Sequence, residues 1–305
     1  MTQILVIRYL RRIRRNWQLY TMILPAVVAI FIFHYIPLYG VQIAFKNFRA
    51  SKGIWGSPWV GLKHFSRFIN YPYFWDIMWN TIAIQLYSLA TFPCTFFFAL
   101  MLNELRDGRY KKTIQMVSYA PHFVPVIVLC SMVLLFTNES SGVINAMLDA
   151  LGLQRRDFMT NPNYFRSLYV WSGVWQDLGW GTIIYTATLS NVSQEWIEAA
   201  HIDGANRFQI VTYIHIPFLL PTAITLLILQ TGNMLTVGFE KVFLLQNSLN
   251  LSVSQVTSTY VYQIGLVDAQ FSYSTAISLF NNILQIAIII IVNMISKLVT
   301  KVSIF

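Results

Sequence analysis

EAAHIDGANRFQIVTYIHIP, residues Glu198 to Pro217, is a moderately polar island between two strongly apolar segments. Just upstream, Ser193 is a candidate N-cap. Glu195 and Glu198 fall early in the helix it would start, where the helix dipole favours negative charge, and Ala199 and Ala200 continue that helix without bulk. It is predicted to run to about Ile202. Gly204 permits a backbone angle that other residues resist, so a sharp turn is expected before a second helical piece carrying Phe208, Ile210, Val211 and Ile214. Pro217 is expected to break that piece, while Pro221 falls early in the next apolar helix, where a missing N–H is tolerated.

Composition sets the surroundings of this island. A chain of 305 residues that is 56% hydrophobic, 15% aromatic and 11% charged cannot hide its apolar surface in one soluble core. The sequence therefore reads as an integral membrane protein. The net charge of +9 does not point to nucleic acid, because the basic residues cluster beside apolar runs as the positive-inside rule requires. Cys94 and Cys130 both lie within predicted spans, without metal or redox spacing.

Glu198, Ala199, Ala200, Gly204, Ile214 and Pro217 resemble the EAA loop of membrane subunits of binding-protein-dependent ABC importers. In that family EAA is followed by three residues, Gly, nine residues, Ile, one residue and Leu-Pro; here Ile216 takes the Leu place. Asp203 and Ala205 around Gly204 look like the carbohydrate-uptake branch. WQDLGW at Trp175 to Trp180 and GFEKVFLLQN at Gly238 to Asn247 look similar to its oligosaccharide-importing members. The resemblance implies an all-α, polytopic fold of the type I importer permease kind, with six transmembrane helices and a cytoplasmic coupling helix. It implies that Glu198, Ala199, Ala200, Asp203 and Gly204 seat against an ATPase subunit. It also implies a second, different permease chain, two ATPase subunits and an extracellular solute-binding protein as partners. Solvated acids at helix ends are the plain alternative for Glu198 and Asp203.

Six spans are predicted along the chain. Residues 1–19 hold Arg8, Arg11, Arg12, Arg14 and Arg15 and no acid, which makes them a basic cytoplasmic N-terminus. Residues 20–305 then form one permease domain, with the EAA loop at about 193–217. The first span, Tyr20 to about Phe45, is too long for a cleavable signal core. An aromatic-rich external segment, Lys46 to about Ile77, is expected at the membrane interface as an aromatic belt or a ligand platform. The second span covers about Met78 to Asn103, followed by the inner loop ELRDGRYKK. The third covers about Thr113 to Phe136, kinked or unwound by Pro121 and Pro125.

An amphipathic surface helix is expected next, with Val143, Ile144, Met147, Leu148 and Leu151 on one face. The fourth span covers about Ser167 to Leu189, the fifth Pro221 to about Phe239, and the sixth Ser272 to Ile295, with an outer segment from Glu240 to about Phe271. Lys297 and Lys301 put the C-terminus inside as well.

Asp177 is the charge placed least comfortably, since a mid-span Asp costs roughly 2.5–3.5 kcal/mol on insertion scales. It either serves function or hydrogen-bonds a neighbouring span at Asn281 or Asn282. Trp175 and Trp180 are packing aromatics, or with Gln176 and Asp177 form a sugar path of flat rings and hydroxyl acceptors. Asp177 and Trp180 are expected to share a face from which Trp175 points away.

No GxxxxGKS/T phosphate loop occurs, so ATP hydrolysis is expected on separate subunits. The five histidines offer no metal-ligand spacing, and neither cofactor nor enzymatic activity is expected. The functional expectation is an ATP-driven permease for a carbohydrate, an oligosaccharide, across the cell membrane. An ion- or proton-coupled secondary transporter is the alternative; it would need several intramembrane charges and an internal repeat.

Overall fold

The computed structural model describes residues 15–300, and the arginines before Arg15, like Lys301, lie outside that range. The described chain is helical apart from two isolated β-bridges, Lys46 with Trp59 and Arg49 with Gly53.

Helix α1, Trp17–Phe45, keeps its apolar window exposed, as a helix bounded by lipid or another chain does; only its last turns, from Tyr39 on, pack on the final helix. After it come α2, Lys63–Ile69, and α3, Phe74–Glu104, which is interrupted at Thr91 just before Pro93. Helices α4, Arg109–Phe123, and α5, Val126–Phe136, are one predicted span bent by 98°. The bend sits where expected: Val124, ahead of Pro125, is forced into extended backbone and cannot continue the helix.

The amphipathic helix α6, Val143–Ala150, is present with its apolar residues outward. What anchors it is Asn145, fully buried, whose amide donates to the carbonyls of Asn138 and Arg156 and accepts from the Arg156 N–H.

Helix α7, Pro162–Leu189, begins five residues before the predicted span because Asn161 caps it and Pro162 fits the first turn. It is long enough to cross a membrane, yet it is not among the runs apolar enough to qualify by composition; among the described residues four are, or five with the bent pair. A Cβ on Gly179 would overlap the Ser118 carbonyl, so glycine there lets α7 lie against α4.

Beyond the EAA helix α8, Gln194–Ile202, one continuous helix α9 runs Arg207–Thr231. Two expectations are corrected here. The fifth span starts well before Pro221 and ends before Phe239, where a separate short helix α10, Phe239–Leu245, begins. Pro217, moreover, breaks nothing. A widened turn, Val211–His215, in which the Ile216 N–H reaches back to the Val211 carbonyl, immediately precedes it. The extra residue in that turn relieves the clash a proline ring would make with the carbonyl four residues back. The same device precedes Pro37 in α1, at Phe31–Tyr35.

Helices α11, Leu251–Ser254, and α12, Thr257–Tyr262, then lead to α13, Phe271–Thr300. The predicted outer segments are therefore structural: Val242, Leu245, Val256 and Tyr260 are all buried. Phe68 and Phe74, expected at an aromatic belt, instead join Tyr260, Tyr273 and Ile277 in one apolar core. Trp55, Trp59 and Trp75 do remain exposed. A second core joins α3, α5, α7 and α10 through Ile84, Cys130, Phe165 and Val242, and a third joins α3, α7 and α9 through Leu100, Tyr185 and Leu219.

Candidate functional site: a mid-helix cavity and a looped helix end

Two regions hold the residues singled out in the sequence. The first is a cavity of about 300 Å³ lined by α3, α7, α9 and α10, including Ser88, Thr95, Tyr169, Gln176, Asp177, Gln230 and Lys241. Asp177 sits just past the midpoint of α7, deeper than the first third where the shorter predicted span placed it.

Its partner is neither Asn281 nor Asn282. Asp177 Oδ1 lies 2.8 Å from His122 Nδ1, within hydrogen-bond reach. Trp180 stacks on the same imidazole, ring centroids 4.3 Å apart and planes 6° from parallel. Gln176 Nε2 donates to the Val124 carbonyl at 2.7 Å, one of the groups freed by the break between α4 and α5. The unwound stretch of the third span is thus stitched to α7 by Gln176, Asp177 and Trp180. Trp175 is half-exposed and shares none of these partners. Asp177 itself keeps 64% of its side-chain surface exposed, so it is both paired and accessible.

Lys241 enters the same cavity from α10. Its ammonium lies 4.8 Å from the Tyr169 ring centroid, and no carboxylate comes within salt-bridge distance of it among the described residues. A cation–π contact of this kind is worth about 0.5–2 kcal/mol.

His122 and Lys241 were not singled out in the sequence. His122 sits between Pro121 and Pro125, and a polar ring in an unwound stretch was the available signal. Lys241 was assigned to an outer segment, although VGFEKVFLL sets two adjacent charges inside an apolar run.

The second region is the EAA loop. Ser193 caps α8 by accepting from the Glu195 N–H. At the other end the Ala205 N–H bonds to the Ala200 carbonyl and the Gly204 N–H to the His201 carbonyl, with Gly204 at φ +80°. This is a Schellman termination, and the left-handed residue it requires is the glycine. Asn206 and Gln209 then form a reciprocal capping box for α9.

Glu198, Ala199 and Asp203 are exposed and Ala200 is half-buried. Ile202 and Phe208 are 87% and 77% exposed, so this loop presents apolar surface outward. A groove of about 950 Å³ separates it from the Asn103–Lys111 segment, bringing two predicted inner loops to one end of the molecule. There a hydrogen bond from Lys111 holds the Asp107 carboxyl below the usual carboxylate range. His215 Nδ1 lies 3.4 Å from Glu104 Oε1, aligned too poorly to hydrogen-bond.

Comparison with known proteins agrees with this architecture. Residues 92–301 match the family described as binding-protein-dependent transport system inner membrane component. The chain is 39% identical over 292 residues to the protein LplB of Bacillus subtilis (strain 168), covering 95% of this chain and 92% of that one. It is 37% identical over 291 residues to the polygalacturonan/rhamnogalacturonan transport system permease protein YteP of the same organism, covering 95% and 91%.

In structure it is similar, with a TM-score of 0.88 and 35% identity over 96% of this chain and 99% of the other, to a chain of a bacterial ABC transporter involved in the import of the acidic polysaccharide alginate. A second structure of such a transporter, in complex with an alginate pentasaccharide-bound periplasmic protein, matches equally well at 34% identity. The chain belongs to the inner membrane components of binding-protein-dependent transport systems, as a multi-pass, all-helical permease with the type I ABC importer fold.

Proposed function

We propose that this chain is one membrane half of an ATP-driven importer that carries an oligosaccharide across the cell membrane. The observation that carries this reading is the cavity midway along α7, where ring, hydroxyl, amide and charged groups meet. Such a mixture suits saccharides: flat rings take the apolar sugar face, and the polar groups take hydroxyls. In this reading Asp177, Trp180 and Gln176 border the path through the stitched break of the third span, and Trp175 packs away from it. The substrates that two of the similar proteins are named for, polygalacturonan and alginate, are saccharides as well.

The same proposal makes residues 20–305 one permease domain. Both termini lie in the cytoplasm, and α8 is the coupling helix. Glu198, Ala199, Ala200, Asp203 and Gly204 seat in a groove of a separate ATPase subunit, aided by the exposed Ile202 and Phe208. The assembly would hold a second, different permease chain, two ATPase subunits and an extracellular binding protein. Closure of the ATPase pair would move α8, and the rigid helices would carry that motion to the cavity.

Reconstitution of the assembled importer in proteoliposomes tests this. ATP-dependent uptake of a labelled oligosaccharide delivered by its binding protein is expected; uptake that follows an ion gradient without ATP would refute it. Topology is tested separately: cysteines placed at positions 109 and 207 should not react with an impermeant thiol label in intact cells, and labelling at either would invert the arrangement.

A further inference from the structure

We propose that Lys241 recognises a carboxylate on the transported saccharide, which makes the substrate of this permease an acidic, uronate-bearing oligosaccharide. The inference rests on the oligosaccharide reading above and deepens it. Lys241 projects from α10 into the cavity on α7, and its ammonium lies 4.8 Å from the Tyr169 ring centroid there. The carboxylate that lines that cavity, Asp177, is engaged by His122 at 2.8 Å, and among the described residues no ion pair joins it to the lysine.

Space has also been left for the ammonium. A Cβ on Gly173 would lie 3.1 Å from Lys241 Nζ, so a side chain at position 173 would displace the ammonium by a few tenths of an ångström. A neutral saccharide entering the cavity would leave a desolvated cation unmatched. A uronate would supply the missing anion and a charge-assisted hydrogen bond, while hydroxyls of the same ring meet Ser88, Thr95 and Gln230. Asp177 and Lys241, held apart, then give the substrate an orientation: hydroxyls towards the acid, carboxylate towards the base.

The test uses the full importer in proteoliposomes with its binding protein, and reads the ratio of uptake of trigalacturonate to that of its methyl ester. The ester keeps the shape and removes the charge. Since every variant shares the same binding protein, a change in the ratio belongs to the permease. Lys241→Met is expected to lower the ratio about tenfold or more, as removal of a charge-assisted hydrogen bond in a dry site does, and Lys241→Arg to restore part of it.

Gly173→Ala, which displaces the ammonium and leaves it in place, should lower the ratio by a smaller factor and serves if Lys241→Met fails to assemble. A ratio unchanged in Lys241→Met, or in Gly173→Ala if the former does not assemble, overturns the proposal: the ammonium then pairs with a carboxylate of the partner permease, and the oligosaccharide reading stands. If the wild-type importer carries neither compound nor any neutral oligosaccharide, the oligosaccharide reading fails and takes this one with it.

Discussion

The EAA loop and the cavity on α7 are positioned in opposite ways. The loop is local: two backbone bonds from Ala205 and Gly204 back to Ala200 and His201 fix its turn, and nothing lies within 4 Å of where a Gly204 side chain would begin. The cavity is assembled from distant chain segments. Ser88 comes from α3, Asp177 from α7, Gln230 from α9 and Lys241 from α10; His122 of α4 pairs with Asp177, and the Tyr169 ring of α7 faces Lys241. Changes in the loop should therefore act through backbone conformation, and changes at the cavity through loss of a partner or of helix approach.

The sharpest way to break this contrast is a pair of glycine replacements. Gly179→Val drives a side chain into the Ser118 carbonyl where α7 meets α4, an overpacking worth at least about 1–3 kcal/mol. The yield and thermal stability of the purified complex should fall sharply. Gly204→Ala meets open space and carries only the left-handed backbone penalty, about 1–2 kcal/mol, confined to one exposed turn. Its yield should stay close to wild type; equal damage by both would mean that the loop is not local.

Next in size is the coupling defect of Gly204→Val. A β-branched residue at φ +80° should unmake the Schellman turn and remove most saccharide-stimulated ATP hydrolysis, while the protein still inserts. Full stimulation in that variant would contradict the coupling role of α8.

At the cavity, His122→Ala, Asp177→Asn and Trp180→Ala each remove a member of one contact set, and each should lower uptake by about tenfold, the order of one charged hydrogen bond. Trp175→Ala touches none of it and should stay within about twofold of wild type, as lone surface changes usually do. Similar losses in all four would make α7 a general scaffold. Failure of Asp177→Asn to assemble would mark its bond to His122 as structural.

The smallest expected effect is that of Pro217→Ala. Because the widened turn at Val211–His215 already accommodates the proline, stability should change by no more than about 0.5 kcal/mol in thermal unfolding. A larger loss would mean that the proline itself sets the course of α9.

The locality of the loop also explains what could be read in the sequence. Ser193, Gly204 and the apolar flanks act on residues a few positions away, so the short helix, its cap and its turn were all visible. So was the break at Pro121 and Pro125, since a proline constrains its own neighbour. The pairing of Asp177 with His122 joins residues 55 positions apart, and nothing in either local pattern fixes which distant side chain a mid-span acid will meet. Lys241 was hidden because α10 tucks back against α5 and α7 after α9 ends at Thr231, a return that a run of apolar residues through Phe239 did not disclose. Pro217 misled for a related reason: the carbonyl it would strike is relieved by a wide turn that no residue pattern marks.

The most direct test of the two-region account is uptake of a labelled oligosaccharide and ATP hydrolysis measured together in proteoliposomes holding the assembled importer, with Gly204→Val and His122→Ala compared to wild type. The account predicts that Gly204→Val loses stimulated hydrolysis and uptake in step, and that His122→Ala lowers uptake even at saccharide concentrations that saturate the wild type. Wild-type uptake by His122→Ala, or undiminished stimulation in Gly204→Val, would contradict it.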